Sequence, residues 1–285
     1  MYDVAIIGAG VVGGMLARTL AAYDLKICIL EKESDVGMGA TRANSGIAHA
    51  GYDAEEGSLK AKLNVQGSRM MEQITKELGV PYRRNGSLVI GFGDEDREGI
   101  EKLYARGLKN GVEELRVIDG EEARRLEPGL ADGVTCALYA PTAAIVCPYE
   151  LAVAAVGNAM DNGAELLLDF EAAHIEKKEG YYEICAAACS QGSCGSPADA
   201  EQGESLQGKE PSGASAFPQM AQPRKVCARY VVNAAGIYAD EVAKLAGDHS
   251  IQIHPRRGEY LLLDREDQIG AAVMGDRGYR YNEIL

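Results

Sequence analysis

The sequence predicts an α/β protein organised around a parallel sheet, and three observations predict it. The apolar run from Asp3 to Ile7 suits a central parallel strand, Val11 to Tyr23 carries apolar side chains at helical spacing, and Lys26 to Leu30 is a second apolar strand, so the chain opens as a β-α-β unit. Gly8, Gly10 and Gly13 sit between the first strand and the helix as G-x-G-x-x-G. The first glycine permits the turn, the second lets backbone approach a pyrophosphate, and the third lets the helix pack closely on the sheet. Glu31 then ends the second strand about 20 residues on, where a carboxylate can accept hydrogen bonds from a ribose diol. Together these features predict a Rossmann-type dinucleotide site formed by Gly8, Ala9, Gly10, Val12, Gly13, Glu31 and Lys32. The plain alternative is that Glu31 is a solvated strand end followed by Lys32.

At 285 residues the chain is long enough for a sizeable core and for two interleaved parts. Its 46% hydrophobic and 25% charged residues are ordinary for a globular protein, while 34 glycines suggest many tight turns or close backbone approaches to a ligand. A net charge of -14 argues against nucleic-acid and anionic-membrane binding, which depend on a basic field. An anionic small-molecule substrate would need local arginines. The seven cysteines, Cys28, Cys136, Cys147, Cys185, Cys189, Cys194 and Cys227, form no secretory framework and suit reduced thiols in a cytoplasm. The apolar stretch from Val4 to Tyr23 is interrupted by Gly8, Gly10, Gly13 and Gly14 and reads as a strand and packed helix, not a signal or transmembrane segment. The expectation is a cytoplasmic protein, at most peripheral to a membrane.

Further along, Ser58 to Leu78 reads as an amphipathic helix stopped by Gly79, and Ser87 to Phe92 as a strand. Charged helices are expected at Asp94 to Asn110 and Asp119 to Leu126 with the strand-like LRVI between them, then a strand at Val134 to Ala140 and a helix from Pro148 to Met160. Glu165 to Leu168, Ala173 to Lys178 and Tyr181 to Ala186 read as successive strands, the last two joined at Glu179 and Gly180. Ala187 to Pro223 is rich in Ala, Ser, Gly, Gln and Pro and is expected to be a disordered insertion. Order returns with a strand at Val226 to Val232, a helix from Tyr238 to Ala246 and a last strand at Glu259 to Leu263 before a polar end.

The segment after Glu33 reads SDVGMGATRANSGIAHAGYDAEEGSLKAKLNVQG. With Thr41, Asn44, Ser45, Gly46, His49, Ala50, Gly51 and the run Ser58 to Leu63, it resembles the FAD-dependent D-amino-acid oxidase superfamily. Within it, the segment resembles the branch containing L-2-hydroxyglutarate dehydrogenases and glycerol-3-phosphate-dehydrogenase-like proteins. VVNAAGIYAD from Val231 to Asp240 and PRRGEYLLLD from Pro255 to Asp264 extend the likeness over most of the chain. The resemblance implies a glutathione-reductase-like FAD-binding domain at residues 1–80, 145–186 and 224–250, interleaved with a partial mixed-sheet α+β substrate domain at residues 81–144 and 251–285 and interrupted by the disordered insertion at 187–223. It implies FAD contacts from Thr41, Asn44, Ser45, Gly46, Ala234, Ala235 and Gly236, with Ala172 bonding adenine through its main chain. Members of the family continue well past GEYLLLD to a glycine-rich closing segment, so a chain ending at YRYNEIL reads as C-terminally truncated.

The resemblance places the HAG segment near the flavin ring, and imidazole has a pKa suited to general-base work, so His49 is the catalytic candidate; the competing role is a hydrogen bond to cofactor or backbone. Arg257, preferred over Arg256, and Tyr260 are the candidates for binding a substrate carboxylate or phosphate. His174, His249 and His254 read as structural or solvated, and Cys185, Cys189 and Cys194 lack the paired spacing of a metal site. No nucleophile elbow, Walker loop or HExxH pattern is present. The expected activity is oxidation of a small 2-hydroxy acid such as L-2-hydroxyglutarate by hydride transfer to flavin, with an electron acceptor that the sequence leaves unspecified. The alternatives are a glycerol-3-phosphate dehydrogenase-like or amino-acid oxidase activity, a nicotinamide-only dehydrogenase, and a nucleotide-binding fragment without turnover.

Overall fold

A computed structural model describes residues 1–187, 225–256 and 258, together with the backbone of 272–275. In chain order the elements are β1 (Tyr2–Ile7), α1 (Val11–Leu20), β2 (Ile27–Leu30), β3 (Ile47–Ala48), α2 (Leu59–Leu78), β4 (Tyr82–Arg83), β5 (Ser87–Gly91), α3 (Asp94–Asn110), β6 (Arg116–Asp119), α4 (Gly120–Leu126), β7 (Cys136–Ala140), β8 (Ala144–Val146), α5 (Pro148–Asp161), β9 (Glu165–Leu167), β10 (Ala172–Lys177), β11 (Tyr182–Ala186), β12 (Lys225–Asn233), α6 (Ala239–Leu245) and β13 (Ala272–Gly275). The strand expected at Glu259 to Leu263 and the expected insertion beyond Ala187 lie outside the described residues. Contacts divide the chain into two compact units, Met1–Gly39 with Val156–His254 and Ala40–Ala155 with Pro255–Leu285. The division falls within α5, and it groups residues 40–80 with the second unit.

The first unit is organised by a six-stranded sheet in the order β10-β11-β12-β1-β2-β9. Strands β12, β1, β2 and β9 run parallel, and β11 and β10 continue the sheet antiparallel. Alternation divides the central strands between two cores. Val4, Ile6, Ile27 and Ile29 join Ala17 of α1 and Val156 and Ala159 of α5 on one face; Ala5, Ile7, Cys28 and Leu30 join Phe170, Ile175, Ile184 and Val242 on the other. A sheet covered on both faces requires apolar residues at consecutive positions, which is why β2 reads ICIL with all four buried. The strand at Glu165–Leu167 does not join the hairpin that follows it in sequence. It crosses to the far edge and pairs with β2, Cys28 opposite Glu165. The hairpin turn is as expected, with Gly180 at φ +82° and the Lys178 N–H donating to the Tyr181 carbonyl at 2.8 Å.

In the second unit a mixed sheet runs β13-β5-β7-β6, with β13 parallel to β5 and the remaining pairs antiparallel. Val89, Leu138 and Ala140 face Ile100 of α3, whereas Leu88, Ile90 and Ala137 face Ala123 of α4. Three short strands that the sequence did not signal, β3, β8 and β4, form a separate antiparallel sheet. Strand β13 falls in the segment expected to be a polar end. Helix α2 starts and stops where its sequence predicts: Ser58 Oγ accepts the Ala61 N–H at 3.1 Å, and Gly79 takes the left-handed C-cap at φ +67°.

Two stability effects follow from this packing. Replacing Ser58 with Ala leaves an N-terminal amide of α2 without its acceptor and should lower unfolding stability by about 1 kcal/mol. Ile100→Ala empties a site with no solvent access between α3 and the mixed sheet and should cost about 2–5 kcal/mol. Chemical denaturation of each variant against the parent checks both, and an Ile100→Ala midpoint equal to the parent's would contradict the assigned packing.

Candidate functional site

The glycine turn lies at the carboxyl end of β1 beside β12, and the helix that follows β1 packs on one face of the sheet while the helix that follows β12 packs on the other. Such a topological switch point is where open parallel sheets leave a crevice for a ligand. Gly8 has φ +108°, and a Cβ there would fall 2.5 Å from the Ala234 carbonyl oxygen. A Cβ on Gly13 would collide with the Gly8 carbonyl oxygen and would also meet the Ala234 Cβ at 3.4 Å. Both glycines are therefore required by close backbone packing among β1, α1 and the loop after β12. Gly10 is the N-cap of α1 with no capping side chain, the first turn carries no acidic residue, and Val12 stands exposed beside it. That leaves the positive end of a ten-residue helix with no acidic side chain of its own in the first turn.

Glu31 is not a solvated strand end. It is 8% exposed, with Oε2 accepting the Ala9 N–H at 2.7 Å and Oε1 accepting the Glu33 N–H at 3.0 Å. Its backbone is braced on both sides, the N–H donating to Leu167 and the carbonyl accepting from Phe170. A carboxylate has four lone-pair directions, so two backbone donors leave acceptor capacity for a diol. Lys32 turns away from it, its Nζ 3.7 Å from the centre of the Tyr238 ring and 3.6 Å from Glu33 Oε1.

Ala234 is joined to β1 by its N–H to the Ile7 carbonyl at 2.8 Å. Asn233 Oδ1 accepts the Ala235 N–H at 3.2 Å and its Nδ2 donates to the Ala239 carbonyl at 2.7 Å, holding the NAAG turn on both sides of Gly236, which takes φ +58°. Ala172 begins β10 opposite Ala186. Tyr238 was missed by the sequence reading, which placed it as the first residue of a helix; the chain instead makes one 3-10 turn at Gly236–Tyr238 that presents the ring before α6 starts.

The second unit carries the other predicted group. Asn44 Nδ2 donates to the Ala40 and Thr41 carbonyls at 3.0 and 2.8 Å, and its Oδ1 accepts the Gly46 N–H at 2.8 Å. The side chain singled out as a cofactor contact thus shapes its own loop. Gly46 has φ +67°, receives the Val146 N–H on its carbonyl at 2.9 Å, and has no room for a Cβ, which would lie 2.6 Å from the Val146 carbonyl oxygen. Thr41 is half-buried and Ser45 exposed in the same loop.

His49 follows β3 with its side chain exposed. The atoms packed around it lower its pKa from the usual histidine value of 6.5; Asp53 opposes that shift and Lys60 reinforces it. Its backbone is fixed by Asn64 Nδ2, which donates to the His49 carbonyl at 2.9 Å, and by Gly51 at φ +113°, whose missing Cβ makes room for Val65. Asn110 Nδ2 donates to the carbonyls of Gly51 and Ala54. These two asparagines were invisible in the sequence, because the loops they brace lie far from them along the chain.

Arg257 and Tyr260 lie outside the described residues, as do Cys189 and Cys194; Arg256 and His254 are exposed. Burial pushes the Cys28 thiol up to about 12, which keeps it protonated, and no group of three His, Cys, Asp or Glu side chains among the described residues could hold a metal ion.

Comparison with known proteins agrees with this geometry. A family model described as FAD dependent oxidoreductase (DAO) matches residues 3–282. Among curated relatives, the chain is 39% identical over 265 residues to a glycerol 3-phosphate dehydrogenase of Caloramator mitchellensis, covering 93% of this chain and 48% of that protein. It is 33% identical over 264 residues to the mitochondrial L-2-hydroxyglutarate dehydrogenase of Mus musculus, covering 91% of this chain and 51% of that one. The chain thus spans about half the length of these curated relatives. A solved structure of L-alpha-glycerophosphate oxidase from Mycoplasma pneumoniae with FAD bound superposes with a TM-score of 0.70 at 25% identity, over 86% of this chain and 56% of that one. Glycine oxidase from Geobacillus kaustophilus shares the fold, with a TM-score of 0.69 at 23% identity. With its doubly covered parallel sheet, its glycine turn at the switch point and a family match running almost end to end, this chain belongs to the FAD-dependent oxidoreductases of the DAO family.

Proposed function

We propose that the protein binds FAD and oxidises the hydroxyl-bearing carbon of a small anionic substrate, a 2-hydroxy acid such as L-2-hydroxyglutarate. The observation that carries the FAD reading is the cradle at the end of β1. Gly8 and Gly13 admit no side chain, the first turn of α1 carries no acidic residue of its own, and Glu31 is held at the edge of the turn. Gly8, Ala9, Gly10, Val12 and Gly13 suit a pyrophosphate, Glu31 a ribose diol, and Lys32, Ala172, Ala234, Ala235 and Gly236 the adenosine end. In the second unit Thr41, Asn44, Ser45 and Gly46 contribute a loop of hydroxyls and backbone amides suited to the ribityl and phosphate chain. Asn44 contributes there by fixing the loop's shape.

Bound FAD supplies the two-electron oxidising power of the reaction. The chain's own task is then to hold the substrate and take the proton from its hydroxyl. His49 is assigned the proton: surrounding atoms disfavour its charged form, so it is a neutral imidazole able to accept one at neutral pH. Arg257 and Tyr260 are assigned to the substrate's anionic group. The 2-hydroxy-acid reading rests on the segment from Gly39 to Gly67, with its NSG, HAG and SLKAKL runs. A second reading, glycerol 3-phosphate, is favoured by the 39% identity to a relative of that name; both substrates join a secondary alcohol to an anionic group.

The deciding experiment is anaerobic addition of L-2-hydroxyglutarate, glycerol 3-phosphate and a panel of amino acids to the FAD-loaded protein, following loss of the yellow colour. Bleaching by L-2-hydroxyglutarate supports the first reading, bleaching by glycerol 3-phosphate alone the second, and bleaching by none overturns both. Gly13→Val forces a branched side chain into the Gly8 carbonyl and should weaken FAD binding by at least about tenfold in a fluorescence titration, since separating α1 from β1 displaces the turn itself. For the proton role, the rate of bleaching should rise with pH as His49 loses its proton and level off from a point below the usual histidine value. His49→Asn should remove that acidic limb and slow the step by about 100-fold or more. A variant with the parent's pH profile would remove His49 from the reaction.

A further inference from the structure

The contact between Lys32 and Tyr238 joins two loops that leave the sheet on opposite sides of the glycine turn. Lys32 follows β2 and Tyr238 follows β12, and these strands are the two neighbours of β1. The ammonium lies 3.7 Å from the ring centre, within cation-π range. Both side chains are anchored from behind. Glu31, adjacent to Lys32, is fixed by Ala9 and Glu33, while the Tyr238 N–H donates to the Ala235 carbonyl at 3.1 Å within a turn that Asn233 holds on both sides. Glu33 Oε1 makes the ammonium's other contact, at 3.6 Å. The ends of β2 and β12 thus meet at one lysine.

This arrangement exceeds what a surface lysine needs. Tyr238 remains 41% exposed and Ile237 beside it 47%, an aromatic and an aliphatic side chain held open to solvent next to a crevice. An exposed cation-π contact is worth little by itself, but it strengthens when a flat ligand covers it and excludes water.

We infer that Tyr238 is a positioning residue which holds Lys32 as a wall of the adenosine end of the FAD site. The inference rests on the FAD reading above. It differs from a role for Lys32 alone in that the side chain at position 238 helps to set where the ammonium stands. Two consequences separate it from a merely structural tyrosine. An aromatic ring should serve better than an aliphatic side chain at position 238, because the ring face lies against the ammonium and the hydroxyl also acts on it, and removing Lys32 should make the identity of residue 238 immaterial to binding.

The test is titration of the full chain with FAD and, separately, with ADP, which carries the adenosine half without the flavin. Parent, Tyr238→Phe, Tyr238→Leu, Lys32→Met and the Tyr238→Leu/Lys32→Met double variant are compared after thermal melts show them folded. Tyr238→Phe should bind both ligands more tightly than Tyr238→Leu, while Tyr238→Leu and Lys32→Met should each weaken both by about fivefold or more. The double variant should be no weaker than either single one. Parent-like affinity in Tyr238→Leu, a Tyr238→Phe as weak as Tyr238→Leu, or additive losses in the double variant would each overturn the inference while leaving FAD binding intact. If Tyr238→Leu does not fold, parent-like affinity in Lys32→Met overturns it equally. A parent that binds neither FAD nor ADP would remove the FAD reading itself, and the inference with it.

Discussion

The first unit depends on the close approach of α1 to β1 at Gly13. A helix normally keeps its distance from a sheet because side chains intervene. Here the position facing the Gly8 carbonyl carries no Cβ, and Gly14 and Ala17 continue the small buried face. The approach aims the first turn of α1 at the carboxyl end of β1, and the same crowding brings Ala234 onto the turn from β12. Glu31 completes the arrangement from β2 by accepting the Ala9 N–H. Three neighbouring strand ends are therefore tied together at the turn, β12 to β1 through backbone groups and β2 to β1 through the Glu31 carboxylate.

In the second unit, side-chain amides do comparable work. Asn44 closes the loop that ends at Gly46, Asn64 holds the His49 carbonyl, and Asn110 holds Gly51 and Ala54. Loops of this kind lack a ladder to satisfy their carbonyls, and a carboxamide, which both donates and accepts, is suited to supplying the missing partners. The glycines at 46 and 51 then let the neighbouring β8 and α2 come close, which fixes where the histidine between them begins. The position of His49 is thereby set by residues that carry no charge.

Much of this was legible in the sequence, and the reasons are local. The glycine spacing, the all-apolar β2, the Ser58 cap and the Gly79 stop each express a constraint that acts within a few residues, so each is written in consecutive letters. The short strands β3, β4 and β8 were not legible, because two or three residues carry no periodicity and become strands only through their partners. The same holds for β9, whose position at the far edge beside β2 is a matter of crossover and not of composition. Asn44 was readable as important but not as to its purpose, since its three partners are set by the fold of the loop.

By itself the sequence determined the α/β class, the dinucleotide turn and the likeness of the 39–67 segment to a flavin-dependent family, because close packing and backbone approach to a ligand demand particular residues at particular spacings. Only the tertiary structure decided that Glu31 is buried and bonded to the turn, that β12 brings Ala234 against Gly8, and that Lys32 lies over Tyr238. Each of those contacts joins segments separated by more than 20 residues and brought together by strand order. Strand order is a property of the packed sheet, in which each strand's neighbours are chosen by the burial of both faces at once, and no single stretch of sequence contains it.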